Sequence, residues 1–289
     1  MKALQRLFLS GCCIVAACSE SIDLRLRGAD TRMLVVEGHI TSDTMAHGVW
    51  LSYTADYFDL HETPVENVQV TITDGDLIIP LTEVPDTAGL FRTAPDIFGL
   101  PGHTYKLLIT GVDADGDGTP EEYRSESTMP GAGKIDSIRL MIQHIYFTDA
   151  LIVSFFAHEP TTADDAYLFK IRYNNVLVTD TIFEWMAIDD TFFPGTDINN
   201  EPIFFLDQEK PEYHITDGDT VTLETWHIPR DYYDFVNDAV QEYRGASPFS
   251  GYPANIRTNI TGDRKAWGIW AASYIYRRSR VWEEEPSKK

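Results

Sequence analysis

The chain has 289 residues, with 45 Asp and Glu against 23 Lys and Arg, a formal net charge of −22. Such a surface repels polyanions, so nucleic acid is excluded as a partner and anionic head groups are poor docking sites for the body, whereas cations and basic ligands are attracted. The only cysteines are Cys12, Cys13 and Cys18, so thiol catalysis and disulfides are excluded from the body and stability must come from burial.

The amino terminus carries Lys2 and Arg6, followed by an apolar run over residues 7–17 interrupted only by Ser10 and Gly11. That order predicts a signal peptide over 1–17. At about eleven residues the run is far short of the ~20 needed to span a bilayer as a helix. It ends in Val15-Ala16-Ala17-Cys18, which resembles the bacterial lipobox, so cleavage before Cys18 and lipidation of that cysteine are expected. Residues 18–32 then form a tether. Each buried methylene of an acyl chain contributes ~0.8 kcal/mol, so more than one chain makes a stable anchor. Loss of Lys2 and Arg6 deepens the negative charge by two.

The alternation of apolar and polar residues then predicts strands over 34–40, 49–54 and 68–72. Thr73-Asp74-Gly75-Asp76 supplies a tight turn, because Asp-Gly tolerates positive φ, and 77–81 is the return strand. Residues 89–92, 105–109 and 123–128 complete a set of about seven short strands, which predicts an immunoglobulin-like β-sandwich over 33–128. Met129-Pro130-Gly131-Ala132-Gly133 reads as a linker, placed at 129–134.

A second β-rich domain is expected over 135–289, with strands at 138–142, 151–157, 167–173, 221–226 and 266–281. One amphipathic helix is predicted near 231–244. Tyr232, Phe235, Val236, Ala239, Val240 and Tyr243 recur at three- and four-residue spacings, with Asp231 as cap and Gly245 as stop. Residues 177–208 lack a clean period and read as long loops with short strands. The fold class is therefore mainly β, two β-rich domains with one helix.

No Gly-x-Ser-x-Gly elbow, phosphate-binding glycine loop or His-Glu-x-x-His helix occurs, and the eight histidines are too scattered for local chelation. A non-enzymatic protein is expected. The sharpest local motif is Asp113-Ala114-Asp115-Gly116-Asp117-Gly118, which opens like a calcium loop, with carboxylates at positions one, three and five and glycine at six. Position twelve is Arg124 where a bidentate glutamate is required, although Glu121 and Glu122 lie close by. Asp113, Asp115, Asp117, Glu121 and Glu122 are thus candidate calcium ligands, and calcium is the only cofactor suggested. The rival reading is a solvated hairpin loop.

Five of the six tryptophans fall in the second half. If 266–281 is a regular strand, Trp267 and Trp270 point to opposite faces, which makes this pair the candidate ligand- or partner-binding residues.

The lipobox, Leu34-Val35-Val36-Glu37-Gly38, Pro64-Val65-Glu66-Asn67-Val68-Gln69-Val70, Gly102-His103-Thr104-Tyr105-Lys106-Leu107, Ser247-Pro248-Phe249, Asn255-Ile256 and Asn259-Ile260 occur in an order that resembles a Bacteroidota lipoprotein family, domain of unknown function 4249. The resemblance covers nearly the whole chain after the signal. It implies an immunoglobulin-like or carboxypeptidase-regulatory-like first module and an envelope lipoprotein anchored in the outer membrane; Ser19-Glu20-Ser21-Ile22-Asp23, with two acids in five positions, partly matches that phylum's surface-export tag, so a cell-surface orientation is expected. It also implies a TonB-dependent outer-membrane transporter as partner, and it brings no catalytic residues. Where such chains often end in a glycine-aromatic-glycine strand, this one reads Ala266-Trp267-Gly268-Ile269-Trp270, so its final strand is expected to pack differently. The function expected is substrate capture or gating beside such a transporter, with a stand-alone glycan- or protein-binding adhesin as the alternative.

Overall fold

The computed structural model describes residues 32–55, 63–131, 134–158, 166–189, 195–244 and 256–284. The signal peptide, Cys18 and the tether up to residue 31 lie outside them, as do Gly245, Ser247-Pro248-Phe249 and Asn255. Residues Arg32–Lys289 form one compact unit.

In chain order the strands are β1 (Leu34–Thr41), β2 (Gly48–Tyr53), β3 (Thr63–Pro64), β4 (Gln69–Asp74), β5 (Leu77–Glu83), β6 (Leu90–Arg92), β7 (Thr104–Val112), β8 (Glu121–Thr128) and β9 (Ile135–Ile145). There follow β10 (Thr148–His158), β11 (Ala166–Tyr173), β12 (Val176–Leu177), β13 (Met186–Asp189), β14 (Asp197–Asp207), β15 (Thr220–Ile228), the helix α1 (Arg230–Arg244), β16 (Thr261–Gly262) and β17 (Trp267–Val281). The protein is mainly β with one α-helix among the described residues.

Most strands form one hydrogen-bonded path, β12-β11-β15-β17-β1-β2-β6-β5-β4-β7-β8-β16, with β13 on β11 and β3 on β2; β14-β10-β9 is a separate three-stranded sheet. Strand β5 pairs with β4 up to Leu81 and with β6 at Thr82 and Glu83. That handover folds the path around a first hydrophobic cluster built on Leu34, Val36, Val70, Ile72, Leu107, Ile109 and Tyr123. A second cluster lies between the three-stranded sheet and β11–β15, joining Leu151, Val153, Phe155 and Phe204 to Phe169, Ile171, Val221 and Leu223. The opposite face of β11 and β17 carries a third under α1, with Leu168, Ile269, Ala271, Tyr232 and Val236.

The segment 129–134 lies between Met129 of the first cluster and Ile135 of the second, although Ile260, Ala266, Trp270 and Ala272 return to the first. It does not divide the sheets. Strand β16 returns to pair with β8, and β17 runs parallel to β1 over its first half and antiparallel to β15 over its second. Trp270 and Ala272 enter the first cluster while Ile269 and Ala271 enter the third, as period-two alternation requires. Parallel pairing between segments more than 200 residues apart leaves no local trace in sequence, which is why the crossing was not expected.

Two further differences have local causes. The loops expected over 177–208 contain β14, which spans eleven residues against β10 with register shifts after Val153 and after Phe155. Those irregularities, and Pro202 in a strand that is an edge among the described residues, blur the period that marks a strand. Asp231 lies inside the first turn of α1, its Oδ1 accepting from the Tyr232 N–H at 2.9 Å. Its Oδ2 holds the Asn259 amide at 2.5 Å, and that amide also bridges the backbone N–H and C=O of Trp270.

Candidate functional site

The acidic loop between β7 and β8 brings Asp113, Asp115 and Asp117 together, each offering a carboxylate oxygen within 4.8 Å of the others. Gly116 and Gly118 take positive φ of 74° and 83°, which lets the chain turn tightly. The Gly118 N–H donates to Asp113 Oδ2 at 3.0 Å, the Asp117 N–H to Asp115 Oδ1 at 3.2 Å and the Thr119 N–H to Asp117 Oδ1 at 2.7 Å. The last bond, with further hydrogen bonding from Thr119, holds the Asp117 carboxyl below its ordinary pKa. Asp113 Oδ1 is buried without a hydrogen-bond partner.

A cation already reaches this loop from a distant segment. Arg264, just before β17, pairs with Asp115, approaches Asp117 at 3.9 Å and places Nε 2.5 Å from Glu121 Oε1. Glu121 is buried, and its Oε2 accepts from Tyr123 Oη at 2.6 Å and from the Ala114 N–H at 3.3 Å. Glu122 stands apart, paired with Arg124. Four of the five expected calcium ligands therefore share one locality, and three of those four contact a guanidinium. Asp113 is the one of the four that no guanidinium of the described residues contacts.

Trp270, expected to face a ligand, is fully buried in the first cluster, its Nε1 donating to the Tyr105 carbonyl at 2.9 Å. Trp267 is half-buried, with Lys265 Nζ 4.0 Å from its ring centroid. Burial of Trp270 follows from the pairing of β17 with β1, where Gly38 leaves the space that the indole fills: a Cβ there would lie 2.8 Å from Trp270 Cε3.

A second polar locality was not expected. The face of β11–β15–β17 opposite the second cluster carries Lys170 and Arg172 on β11, Glu224 and Trp226 on β15, and Arg277 on β17, with Glu224 opposite both Lys170 and Arg277 in register. Glu224 is 0% exposed. Its Oε2 accepts from Arg172 Nε at 2.8 Å and Arg277 Nε at 2.7 Å, and its Oε1 from Trp226 Nε1 at 2.7 Å. Burial alone would raise this carboxyl; the hydrogen bonds from Arg172 and Trp226 and the charges of Arg277 and Arg172 outweigh it and hold the pKa below the ordinary value. Arg277 continues to Asp43 through two bonds of 2.9 and 2.6 Å.

Arg172, Glu224, Trp226, Arg277 and Asp43 line a pocket of about 310 Å³ together with His39 and His47. His39 Nε2 lies 2.8 Å from Ser273 Oγ, and its ring meets Trp226 and Tyr232 edge-on at 5.0 Å. Burial, and then the charge of Lys170, push its pKa down to about 3. His47 is neutral by geometry: its Nε2 reaches the Ile97 carbonyl at 3.2 Å as donor, so Nδ1 accepts from the Thr41 N–H. Lys170 Nζ sits 3.7 Å and 4.1 Å from the ring centroids of Trp185 and Trp226, and burial lowers its pKa to about 8. The alternation of apolar Tyr167, Phe169 and Ile171 with Lys170 and Arg172 was a legible signal for a polar face. The partners were not, because β11, β15 and β17 are distant in sequence.

The comparison with curated proteins found no match. A family model does match, over residues 19–278, and this span contains both the acidic loop and the polar pocket. The chain belongs to the family described as domain of unknown function (DUF4249).

Proposed function

We propose that this protein is a lipid-tethered binding protein of the outer membrane, displayed at the cell surface, which captures a small polar ligand for a TonB-dependent transporter without catalysing a reaction. Cys18 carries the anchor, the strands up to residue 128 act as an immunoglobulin-like spacer, and the pocket holds the ligand. The observation that carries the reading is the pocket's chemistry. A volume of about 310 Å³ suits a small molecule, and it presents one aromatic edge and a preset array of charges. A carboxylate held ionised by two guanidiniums is a weak general base, which favours binding over proton transfer. No helix among the described residues is long and apolar enough to cross a membrane, in keeping with a lipid as the anchor. Copurification after crosslinking and gentle solubilisation of native outer membranes tests the partnership: a TonB-dependent transporter should come down reproducibly, and recovery of this protein alone would refute it.

The adhesin alternative drew on exposed tryptophans in the second half. Trp185, Trp226 and Trp282 instead pack against the clusters and Trp270 is buried, so binding to a glycan array by the isolated body is the result that would revive it. Calcium belongs to this reading at the converging carboxylates of Asp113, Asp115 and Asp117, where it competes with Arg264. A thermal shift on adding calcium, abolished by Asp113→Asn, is the expected outcome; equal shifts in both proteins would remove calcium from the loop.

A further inference from the structure

Strand β1 leaves β17 after Thr41, whose register partner is Ser273, while β17 runs on against β15 as far as Val281. Ser42 continues the contact, its N–H donating to the Ser273 carbonyl at 3.1 Å and its Oγ accepting from the Ile275 N–H at 2.8 Å. The pocket that holds His39, Asp43, Arg172, Glu224, Trp226 and Arg277 opens where the two strands part.

Hydrogen bonding in this pocket is one-sided. Glu224 is fully buried and already accepts from Arg172, Arg277 and Trp226, and both oxygens of Asp43 are held by Arg277. The Trp226 N–H and both ring nitrogens of His47 are likewise committed. The guanidiniums are not. Arg172 uses Nε on Glu224 and Nη1 on the Asn175 carbonyl, and its Nη2 has no partner among the described residues. Arg277 uses one N–H at each nitrogen, which leaves a second on Nη1 and on Nη2. These side chains are 25% and 36% exposed, so the spare N–H groups are open to a ligand that brings acceptors.

Charge points the same way. Arg172 and Arg277 balance Glu224 and Asp43, and the two histidines are neutral. Lys170 adds one positive charge beside the Trp226 wall, and with a pKa of about 8 it stays protonated at neutral pH. That charge is felt within the pocket, where it helps to keep His39 neutral. A locality with one positive charge in excess is set apart from the rest of a chain of net −22, and partial burial leaves it less screened by salt than a surface charge.

We infer that the small ligand of this pocket is an organic monocarboxylate, its two oxygens accepting from Arg172 Nη2 and the outer N–H groups of Arg277, its apolar part lying on Trp226, Ile275 and Met45. This rests on the binding reading above and narrows it. Guanidinium and carboxylate groups match in planar, charge-assisted hydrogen bonds. One negative charge completes the balance; a phosphate, at about 1.5–2 charges near neutral pH, overshoots it, and an ammonium group adds to the excess.

Residues Arg32–Lys289 form one compact unit, so the chain from Ser19 onward serves for the test. Calorimetric titration with benzoate, benzamide, phenyl phosphate and benzylamine varies the charge on one ring. Benzoate should bind about tenfold more tightly than each of the others, the worth of one hydrogen bond to a charged group. Met45, 47% exposed on the pocket wall, shifts the field without touching the core: Met45→Lys should tighten benzoate several-fold and Met45→Glu should weaken it. A folding defect cannot produce that pair of opposite shifts. Benzamide, phenyl phosphate or benzylamine binding as well as benzoate would overturn the carboxylate while leaving a pocket that binds. Silence from all four, or shifts in the same direction for both Met45 variants, would overturn it too, and the transporter partnership is decided separately by copurification.

Discussion

Glu224 receives two guanidiniums and an indole N–H on one buried carboxylate, so neutralising it leaves two arginines facing each other. Glu224→Gln should lower stability by about 3 kcal/mol, the lower end of the cost of breaking a buried ion pair because both arginines are partly solvated; an unchanged urea midpoint would contradict the assignment. The Glu224 carboxyl titrates below its ordinary value of 4.5 in the fold, so its contribution is complete above about pH 4.5 and is lost as pH falls through the folded value. His39 adds a second acid-sensitive step. With its pKa pushed from 6.5 down to about 3, it is neutral in the fold, and its contribution is complete above pH 6.5 and declines as pH falls toward 3. His39→Gln should flatten the stability profile in that window, and an identical slope would place the sensitivity elsewhere. At this level the sequence was informative only where chemistry is local: the Asp-x-Asp-x-Asp-Gly spacing marked a real convergence of carboxylates, while Arg264, which occupies it, lies more than 140 residues from Glu121 and carried no signal.

Strand β17 holds the molecule together because its first half joins β1 and its second half joins β15. Gly268 permits that approach, with φ of 106° and a position where a Cβ would stand 1.9 Å from the Val36 carbonyl oxygen. Gly268→Ala should therefore cost at least the ~1–3 kcal/mol of a strained backbone position and reduce the yield of folded protein; a variant as stable as the parent would contradict the pairing geometry. Trp270→Ala should cost about 3–5 kcal/mol, the usual price of truncating a buried aromatic, and would do so by denaturation of the core, leaving no surface for which a ligand role need be sought. Strands with an uninterrupted period of two, such as β4, β7 and β15, and the helix with its three- and four-residue spacing, were legible because each pattern is complete within one element. Strand β14 was hidden by two register shifts against β10, and the double allegiance of β17 by the distance to β1.

At the scale of the molecule, the last strands cross the segment 129–134 in both the sheet and the first cluster, so the body should unfold as a unit, and a single transition in thermal denaturation is expected. The acidic surface keeps that body in water, and the proposed acyl chains on Cys18 hold it to the envelope. Metabolic labelling with a radioactive fatty acid, combined with membrane fractionation, addresses that anchor directly. The parent protein should carry label and sediment with outer membranes, and Cys18→Ala should lose both; label and membrane attachment undiminished in Cys18→Ala would contradict the tether and the placement that depends on it.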